Sequence, residues 1–146
     1  MVGCNSRLDS IQAAILNIKL PLLDEYIDRR RLAADFYDRA FQGHTKIRTP
    51  YRAPYSKHVF HQYTLILDGA DRNKLNEHLA SKNIPSMIYY PVPAHRQNMF
   101  TSFQASSQKL EVTDWLTERV ISLPMHTELD EEQLGFISNT VLEFLN

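Results

Sequence analysis

Two short segments of the chain concentrate side chains that could bind an anion or a sugar. The first places the amide of Asn5, the hydroxyl of Ser6 and the guanidinium of Arg7 next to one another, just before a predicted helix. Because unpaired N–H groups at a helix N-terminus also favour anions, this segment could hold a phosphate or a carboxylate. The same residues fit a helix cap followed by a surface arginine, so both interpretations stay open.

The second segment runs from Tyr89 to Gln97, where a predicted strand ends in a loop stiffened by two prolines. It carries the phenols of Tyr89 and Tyr90, the imidazole of His95 and the guanidinium of Arg96. Loops at strand ends are common places for the wall of a ligand site, so a sugar or anion contact is one interpretation. The other is that the tyrosines pack inside the protein while the His-Arg pair is solvated.

The sequence predicts no metal site and no catalytic motif. His58 and His61 are three residues apart at the start of a predicted strand, which would point them to opposite faces of a sheet. His44, His78 and His126 have no acidic or cysteine partner at ligand spacing. The glycines are scattered singly, which excludes a glycine-rich phosphate loop, and no serine lies in a nucleophile elbow.

The first predicted element is a long helical segment over residues 1–43, ended by Gly43. Pro21 lacks a backbone N–H and is expected to break this segment. Ser6 is its predicted N-cap, with Asp9 as the acid of a capping box. An apolar face recurs along it at steps of three and four residues, formed by Leu8, Ile11, Ile15, Ile18 and Leu22.

Residues 44–146 are predicted to form a small sheet covered by helices, which gives an α/β (α+β) fold class. Runs of apolar, β-branched and aromatic residues predict three strands, at Val59–Leu67, Ile84–Tyr90 and Ile121–Leu123. The connection before them has room for one more short strand around Ile47. The whole chain, 1–146, is predicted to be a single domain.

Capping residues predict three helices in this part of the chain. The first is capped by Asp71 and runs to about Lys82, and the second is capped by Thr113 and runs through Val120. A capping box of Asp130 with Gln133 begins the terminal helix. That helix is predicted to bury Leu134, Ile137, Val141 and Leu145.

The composition is that of an ordinary globular domain. The chain has 146 residues, of which 43% are apolar and 23% charged, with a net charge of −1. Nucleic acid or an anionic membrane would require a surplus of Lys and Arg, so neither partner is expected. Cys4 is the only cysteine, which excludes an internal disulfide and favours a reducing, cytoplasmic location. No apolar run approaches the roughly 18 residues that span a bilayer.

Five segments, spread over essentially the whole chain, form a recognisable series of motifs. They are residues 3–16 with the pattern G-x-N-x-R-x-x-x-x-Q-A-A, then Arg29-Arg30-Arg31, His61-Gln62-Tyr63, Tyr90-Pro91-Val92-Pro93 followed by His95 and Gln97, and Ser122-Leu123-Pro124-Met125-His126. This series resembles the DegT/DnrJ/EryC1/StrS aminotransferases, which use pyridoxal phosphate to aminate nucleotide-linked keto sugars. The resemblance implies the small domain of a fold-type-I aminotransferase, with a mostly antiparallel three-stranded sheet.

The resemblance also implies roles for the two ligand-binding segments. In relatives the asparagine of the first motif reaches across a dimer interface to the cofactor phosphate, which assigns Asn5 to a neighbouring subunit's site. Arg7 matches an arginine that in some relatives binds the sugar or its carboxylate across the same interface, as a forked guanidinium suits. Tyr89 and Tyr90 fall where relatives place substrate-facing residues, although some uronate-specific members have a histidine at the first position. His95 matches a frequent family histidine and is assigned to the substrate site.

The cofactor chemistry that the family needs is expected to be incomplete in this chain. Transamination needs a lysine bonded to the cofactor, a carboxylate on its ring nitrogen and a phosphate cradle, which in the family come mainly from a larger N-terminal domain. By the resemblance, none of the lysines, including Lys57 and Lys82 that each follow a serine, lies in the Ser-Lys context of the family's cofactor lysine. We therefore expect a C-terminal domain without the pyridoxal-phosphate-binding large domain, inactive alone and unable to hold the cofactor stably.

Two kinds of partner follow from this expectation. One is the nucleotide-sugar substrate of the intact enzyme, and the other is a second copy or the N-terminal domain. The alternative function is a non-catalytic binding or assembly module that oligomerises through its long amphipathic helix.

Overall fold

The structure is a computed structural model that describes residues 7–100 and 109–146. Its helices are α1 (Ser10–Lys19), α2 (Leu23–Ala40), α3 (Arg72–Ser81), α4 (Glu111–Thr117) and α5 (Glu131–Leu145). Its strands are β1 (Ile47–Arg48), β2 (Tyr63–Leu67) and β3 (Val120–Leu123). Short 3₁₀ turns lie at Leu20–Leu22, Ala94–Arg96 and Asn98–Phe100.

The three strands form one antiparallel sheet with β2 in the middle. Tyr63 lies opposite Leu123 and Thr64 lies opposite Ser122, which fixes the register of β2 against β3. Ile47 lies opposite Leu67 at the other edge. The predicted fold, a three-stranded antiparallel sheet with helices behind a long broken helix, is therefore confirmed.

The predicted strand at Ile84–Tyr90 is wrong. Only Met87 of this segment bonds to the sheet, through an isolated bridge in which it exchanges both backbone hydrogen bonds with Ser122. Pro85 has no N–H to donate, so a continuous ladder cannot form there. The third strand is instead β1, the short strand considered around Ile47.

The strand predicted from Val59 begins later, at Tyr63. Phe60 has a φ of +47°, a left-handed conformation that an extended strand excludes. From Tyr63 onward the side chains alternate, and Tyr63, Leu65 and Leu67 are fully buried on one face. The other face, which carries Thr64, is thus turned away from the core.

The core lies between the inner face of the sheet and helices α2, α3 and α5. The α5 residues predicted to be buried, namely Leu134, Ile137, Val141 and Leu145, are all buried. Leu75 and Leu79 of α3 and Tyr37 of α2 complete the same cluster. The periodicity of the apolar residues was therefore sufficient to predict which face of α5 packs inward.

Of the predicted helix caps, those of α3 and α5 are confirmed and that of α4 is wrong. Asp71 caps α3, and Asp130 with Gln133 forms the capping box of α5, as predicted. Thr113 is not a cap, since α4 begins at Glu111 and Thr113 lies within its first turn. Asp9 is itself the N-cap of α1, accepting a hydrogen bond of 2.8 Å from the backbone N–H of Gln12. The predicted cap at Ser6 lies outside the described residues.

The first helical segment breaks at Pro21, as predicted, in a three-residue 3₁₀ turn between α1 and α2. The apolar face of α1 contacts little of the remaining described chain, and no residue of α1 is buried. Ile11 is 76% exposed and Ile18 is 73% exposed. No helix in the described ranges is long and apolar enough to cross a membrane.

Candidate functional site

A cleft runs along the outer face of β2 and β3, on the side of the sheet away from the core. It consists of two adjoining cavities of about 240 Å³ and about 280 Å³. Both cavities are lined by Gln62, Met87, Tyr89 and Ser122, and we call the combined space the sheet cleft. The bridge between Met87 and Ser122 holds the segment bearing Tyr89 against β3, and so forms one wall of the cleft.

The remaining walls come from two further elements. The first cavity continues to the end of β3, where Pro124, Met125 and His126 line it. The second cavity is bounded by Tyr90 and by one side of α4, which presents Thr113, Leu116 and Thr117. The cleft is therefore built by the strand ends, by the loop after Met87 and by α4.

Hydroxyl and amide groups supply the polar chemistry of the sheet cleft. The hydroxyls of Thr64 and Ser122 lie 2.7 Å apart and share a hydrogen bond, because the register places the two residues directly opposite one another. Ser122 is buried, whereas the hydroxyls of Tyr89 and Tyr90 and the amide of Gln62 have no hydrogen-bond partner within residues 7–100 and 109–146. These groups remain available to a ligand.

The two tyrosines named from the sequence lie together in the cleft. Tyr89 lines both cavities with 48% of its surface exposed, and Tyr90 lines the second with 77% exposed. Arg7 is exposed before α1 and does not line either cavity. Asn5 lies outside the described residues. The structure thus brings together two of the five predicted site residues.

His95 is placed differently from the tyrosines. It is only 8% exposed and lines neither cavity of the sheet cleft. Its Nε2 lies 3.5 Å from Oδ1 of Asp114 on α4, close to the carboxylate but without a hydrogen bond to it. Arg96 pairs with the other oxygen of Asp114 at 2.5 Å. Asp114 therefore ties the loop that follows the two tyrosines to the helix across the cleft.

Sequence reasoning missed several residues of this site. Thr64 could have been found, since strict alternation on β2 places it on the face opposite the buried residues. Gln62 and Ser122 belong to two of the motifs, and the place of Ser122 in the cleft depends on the strand register. Asp114 carried no local signal, because its contacts with His95 and Arg96 span 18 residues or more of the chain.

Apart from the sheet cleft, a basic cavity of about 320 Å³ lies at the loop before β2. It is lined by the cationic side chains of Arg31, Arg52 and Lys57, together with the ring of Phe60. Two of these charges are already balanced, because Arg31 pairs with Asp28 at 3.1 Å and Arg52 pairs with Asp35 and Asp38 at 2.7 Å. This cavity is a weaker candidate for an anion than its residue types suggest.

The sequence of the chain matches the DegT/DnrJ/EryC1/StrS aminotransferase family over residues 1–142, and the chain belongs to that family. It is 41% identical over 146 residues to the UDP-N-acetyl-3-dehydro-alpha-D-glucosamine 3-aminotransferase of Acidithiobacillus ferrooxidans, covering 100% of this chain and 38% of the relative. It is 33% identical to the dTDP-3-amino-3,6-dideoxy-alpha-D-galactopyranose transaminase of Aneurinibacillus thermoaerophilus, covering 95% of this chain and 37% of that one.

Solved structures give the same result for the fold. A DegT DnrJ EryC1 StrS aminotransferase from Brucella abortus superimposes with a TM-score of 0.86 at 32% identity, over 98% of this chain and 37% of the other. DesV of S. venezuelae, in complex with a ketimine intermediate, gives a TM-score of 0.89 at 31% identity, over 98% and 38%. The chain therefore spans somewhat more than a third of the length of the relatives it matches.

The family is one of pyridoxal-phosphate-dependent enzymes, and the lining of the sheet cleft does not fit that cofactor. No lysine in the described ranges lines the sheet cleft, and neither does an arginine or a carboxylate. Lys46 is engaged elsewhere, donating a hydrogen bond of 2.5 Å to the carbonyl oxygen of Leu145. The described lining of the sheet cleft thus lacks the amine, the cation and the carboxylate that would bond to the cofactor, hold its phosphate and contact its ring nitrogen.

Proposed function

We propose that this chain forms the C-terminal part of a nucleotide-sugar aminotransferase and that its residues form one wall of the substrate site. The observation that carries the proposal is the position of Tyr89 and Tyr90, which line the sheet cleft with hydroxyls that have no hydrogen-bond partner among the described residues. Family membership and the sugar-nucleotide substrates in the names of the relatives support the same function. The chain would contribute binding and orientation, while cofactor chemistry is supplied by residues outside it.

We further propose that the first motif acts across an interface between subunits. By resemblance, Asn5 would contact the cofactor phosphate of a neighbouring subunit, and Arg7 would contact the sugar. Arg7 is exposed and has no ion-pair partner within the described residues, as such a role requires. An exposed guanidinium can donate two parallel hydrogen bonds to an anion or a sugar diol.

The partner that completes the site would cover the apolar face of α1. This face is exposed over Leu8, Ile11, Ile15 and Ile18. A contiguous exposed apolar surface of this kind marks an interaction surface in soluble proteins. A second copy of the chain, or the portion of an aminotransferase that this chain does not span, would bury it.

The alternative function, a non-catalytic assembly module, rests on the same exposed face of α1. The two functions differ in what Arg7→Ala does when the chain is co-purified with the complementary N-terminal portion of the Acidithiobacillus relative. Under the proposed function this variant lowers sugar-nucleotide binding and leaves assembly intact. The matched variant Arg39→Ala, on the exposed side of α2, is expected to leave sugar-nucleotide binding and assembly unchanged. Unchanged binding with altered oligomerisation for Arg7→Ala would favour the assembly module instead.

The isolated chain is proposed to lack transaminase activity. Mixed with pyridoxal phosphate, it is expected to show no stoichiometric absorbance band that disappears on substitution of one lysine. A band of that kind, assigned to a single lysine of this chain, would contradict the proposal that residues outside this chain bind the cofactor.

A further inference from the structure

The segment over residues 87–93, which we call the strap, is attached to the sheet at its first residue. Met87 exchanges both backbone hydrogen bonds with Ser122 of β3, at 3.0 Å and 2.9 Å. We call such a pair of residues a rung. Among the described residues, no backbone hydrogen bond reaches residues 88–92. A single rung therefore attaches the strap to β3.

The antiparallel register of this rung shows where the ladder stops on one side. It places Pro85 opposite Pro124, at the next position where backbone hydrogen bonds could form. Both prolines line the first cavity of the sheet cleft, as residues that lie opposite one another should. Neither proline has an N–H, so no rung can form between them.

On the other side the same register places Tyr89 opposite Val120, and both residues have an N–H and a carbonyl to offer. The backbone of Val120 faces the strap, because Ser122, two residues further along β3, bonds to Met87. The carbonyl of Arg119, which alternates with Val120, accepts from β2 instead. Yet in the described chain no backbone hydrogen bond joins Tyr89 to Val120. An available rung is thus left unformed.

The ladder cannot grow beyond Tyr89. The next position would pair Pro91 with Glu118, but Pro91 has no N–H and Glu118 has helical backbone at the end of α4, with φ −84° and ψ −15°. Beyond the strap, Arg96 pairs with Asp114 of α4 at 2.5 Å and holds the loop there. Movement is thus confined to the few residues between these two attachments.

We propose that the strap is a two-state device that pairs reversibly with β3, through one rung in this structure and through a second rung, between Tyr89 and Val120, in a closed state. The hydrogen bonds gained by the second rung are opposed by the entropy lost when Ile88 and Tyr89 are fixed. Since these two free energies are of similar size, both states are populated. The inference is independent of the proposed function, because it assigns a motion and no ligand.

The closed state narrows the sheet cleft. Tyr89 and Val120 both line its second cavity, of about 280 Å³, between the strap and α4. Pairing their backbones brings these two parts of the lining to the spacing of neighbouring strands, about 4.8 Å. The strap therefore sets how much of the second cavity is open.

Relaxation-dispersion NMR of the ¹⁵N-labelled chain measures such a motion on the microsecond-to-millisecond timescale. The backbone amides of Tyr89 and Val120 are expected to show dispersion with one common rate, because the same rung forms at both. An NOE between the two amide protons identifies the closed state. Flat profiles at both amides would overturn the inference, whether Tyr89 is permanently paired or never paired.

Two variants remove the closed state by different routes. Val120→Pro deletes the N–H that faces the strap, leaves the bonds between β3 and β2 in place, and is expected to abolish dispersion at Tyr89. Ile88→Gly disfavours extended backbone and is expected to lower the closed population about fivefold. Val92→Gly is the matched control, since it lies beyond Pro91, where no rung can form, and it is expected to leave the dispersion unchanged.

Circular dichroism checks that the three variants are folded. Dispersion that persists at wild-type amplitude in Ile88→Gly and in a folded Val120→Pro would overturn the inference, because the motion would then not be the formation of this rung. If Val120→Pro does not fold, Ile88→Gly decides alone, and an amplitude equal to that of Val92→Gly overturns the inference.

Discussion

The hydroxyl of Tyr63 on β2 donates a hydrogen bond of 2.5 Å to Oδ1 of Asp38 on α2. Arg52 pairs with Oδ2 of the same carboxylate at 2.7 Å, so the carboxylate is held from two sides. This contact joins the long helix to the central strand on its core face. The contact therefore holds β2 in place from the core side, while Thr64 on the opposite face of β2 lines the sheet cleft.

Tyr63→Phe should lower the free energy of unfolding by about 1–3 kcal/mol, because it removes one hydrogen bond to a charged group and leaves Asp38 paired only with Arg52. Urea denaturation, read as a shift in midpoint at constant slope, measures the change. Tyr51→Phe is the matched control, since Tyr51 is 82% exposed. Equal stability of the two variants would show that the Tyr63 contact contributes nothing.

Stability should fall at alkaline pH because of Tyr37 and Tyr63. Burial raises the pKa of both phenols in the folded chain, and the hydrogen bond to Asp38 raises the pKa of Tyr63 further. Above about pH 10 the unfolded chain releases protons that the folded chain retains, so the free energy of unfolding decreases as pH rises. Each phenol contributes a slope of up to about 1.4 kcal/mol per pH unit.

Urea denaturation between pH 9 and pH 11 measures this slope in the wild type and in Tyr37→Phe, which cannot ionise at that position. The variant is expected to show the shallower loss of stability. An identical slope in both proteins would mean that Tyr37 ionises in the folded state as it does in the unfolded chain.

Asp114→Ala should loosen the loop that follows the two cleft tyrosines. The substitution removes the carboxylate that contacts His95 and Arg96, and leaves the backbone bonds of the turn in place, such as Arg96 N–H to the carbonyl of Pro93. Hydrogen exchange at the amides of Arg96 and Gln97 is expected to accelerate by about tenfold or more.

Asp68→Ala, which breaks the exposed pair with Arg48, should leave exchange in that loop unchanged. If Asp114→Ala also left it unchanged, the carboxylate would not be what orders the loop.

Ile11→Lys with Ile18→Lys should weaken self-association, because both side chains belong to the exposed apolar face of α1. Sedimentation velocity over a concentration series measures the effect. The thermal stability of the monomer should change little, since neither side chain is buried. Val112→Lys, at a 72% exposed position on α4, is the control. Self-association of the double variant at wild-type strength would exclude this face as the interface.

The parts of the fold set by local signals were predictable from the sequence. The capping residues Asp71 and Asp130 fixed two helix starts, and the apolar spacing on α5 fixed its buried face. The segment at Ile84–Tyr90 had the composition of a strand, but Pro85 has no N–H to donate, and the segment pairs with β3 only at Met87. Composition reports a preference for extended backbone, whereas pairing depends on which donors are present.

The candidate site was only half predictable for a similar reason. Tyr89 and Tyr90 stood out as a local cluster and both line the cleft. His95 stood in the same cluster but turns inward to Asp114, a contact between residues distant in sequence. The hydroxyl pair of Thr64 and Ser122 depends on strand register, which the sequence alone did not specify.

The central claim is that this chain supplies a substrate-binding wall to an aminotransferase whose cofactor is held by other residues. Its most direct test is the kcat/KM for amino transfer to a UDP-linked 3-keto sugar, measured on the chain alone and assembled with the complementary N-terminal portion of the Acidithiobacillus relative. The account predicts activity only in the assembled enzyme, reduced about tenfold or more by Tyr89→Ala and unaffected by Tyr55→Ala at a 90% exposed position. Activity of the chain alone, or an assembled enzyme indifferent to Tyr89→Ala, would contradict it.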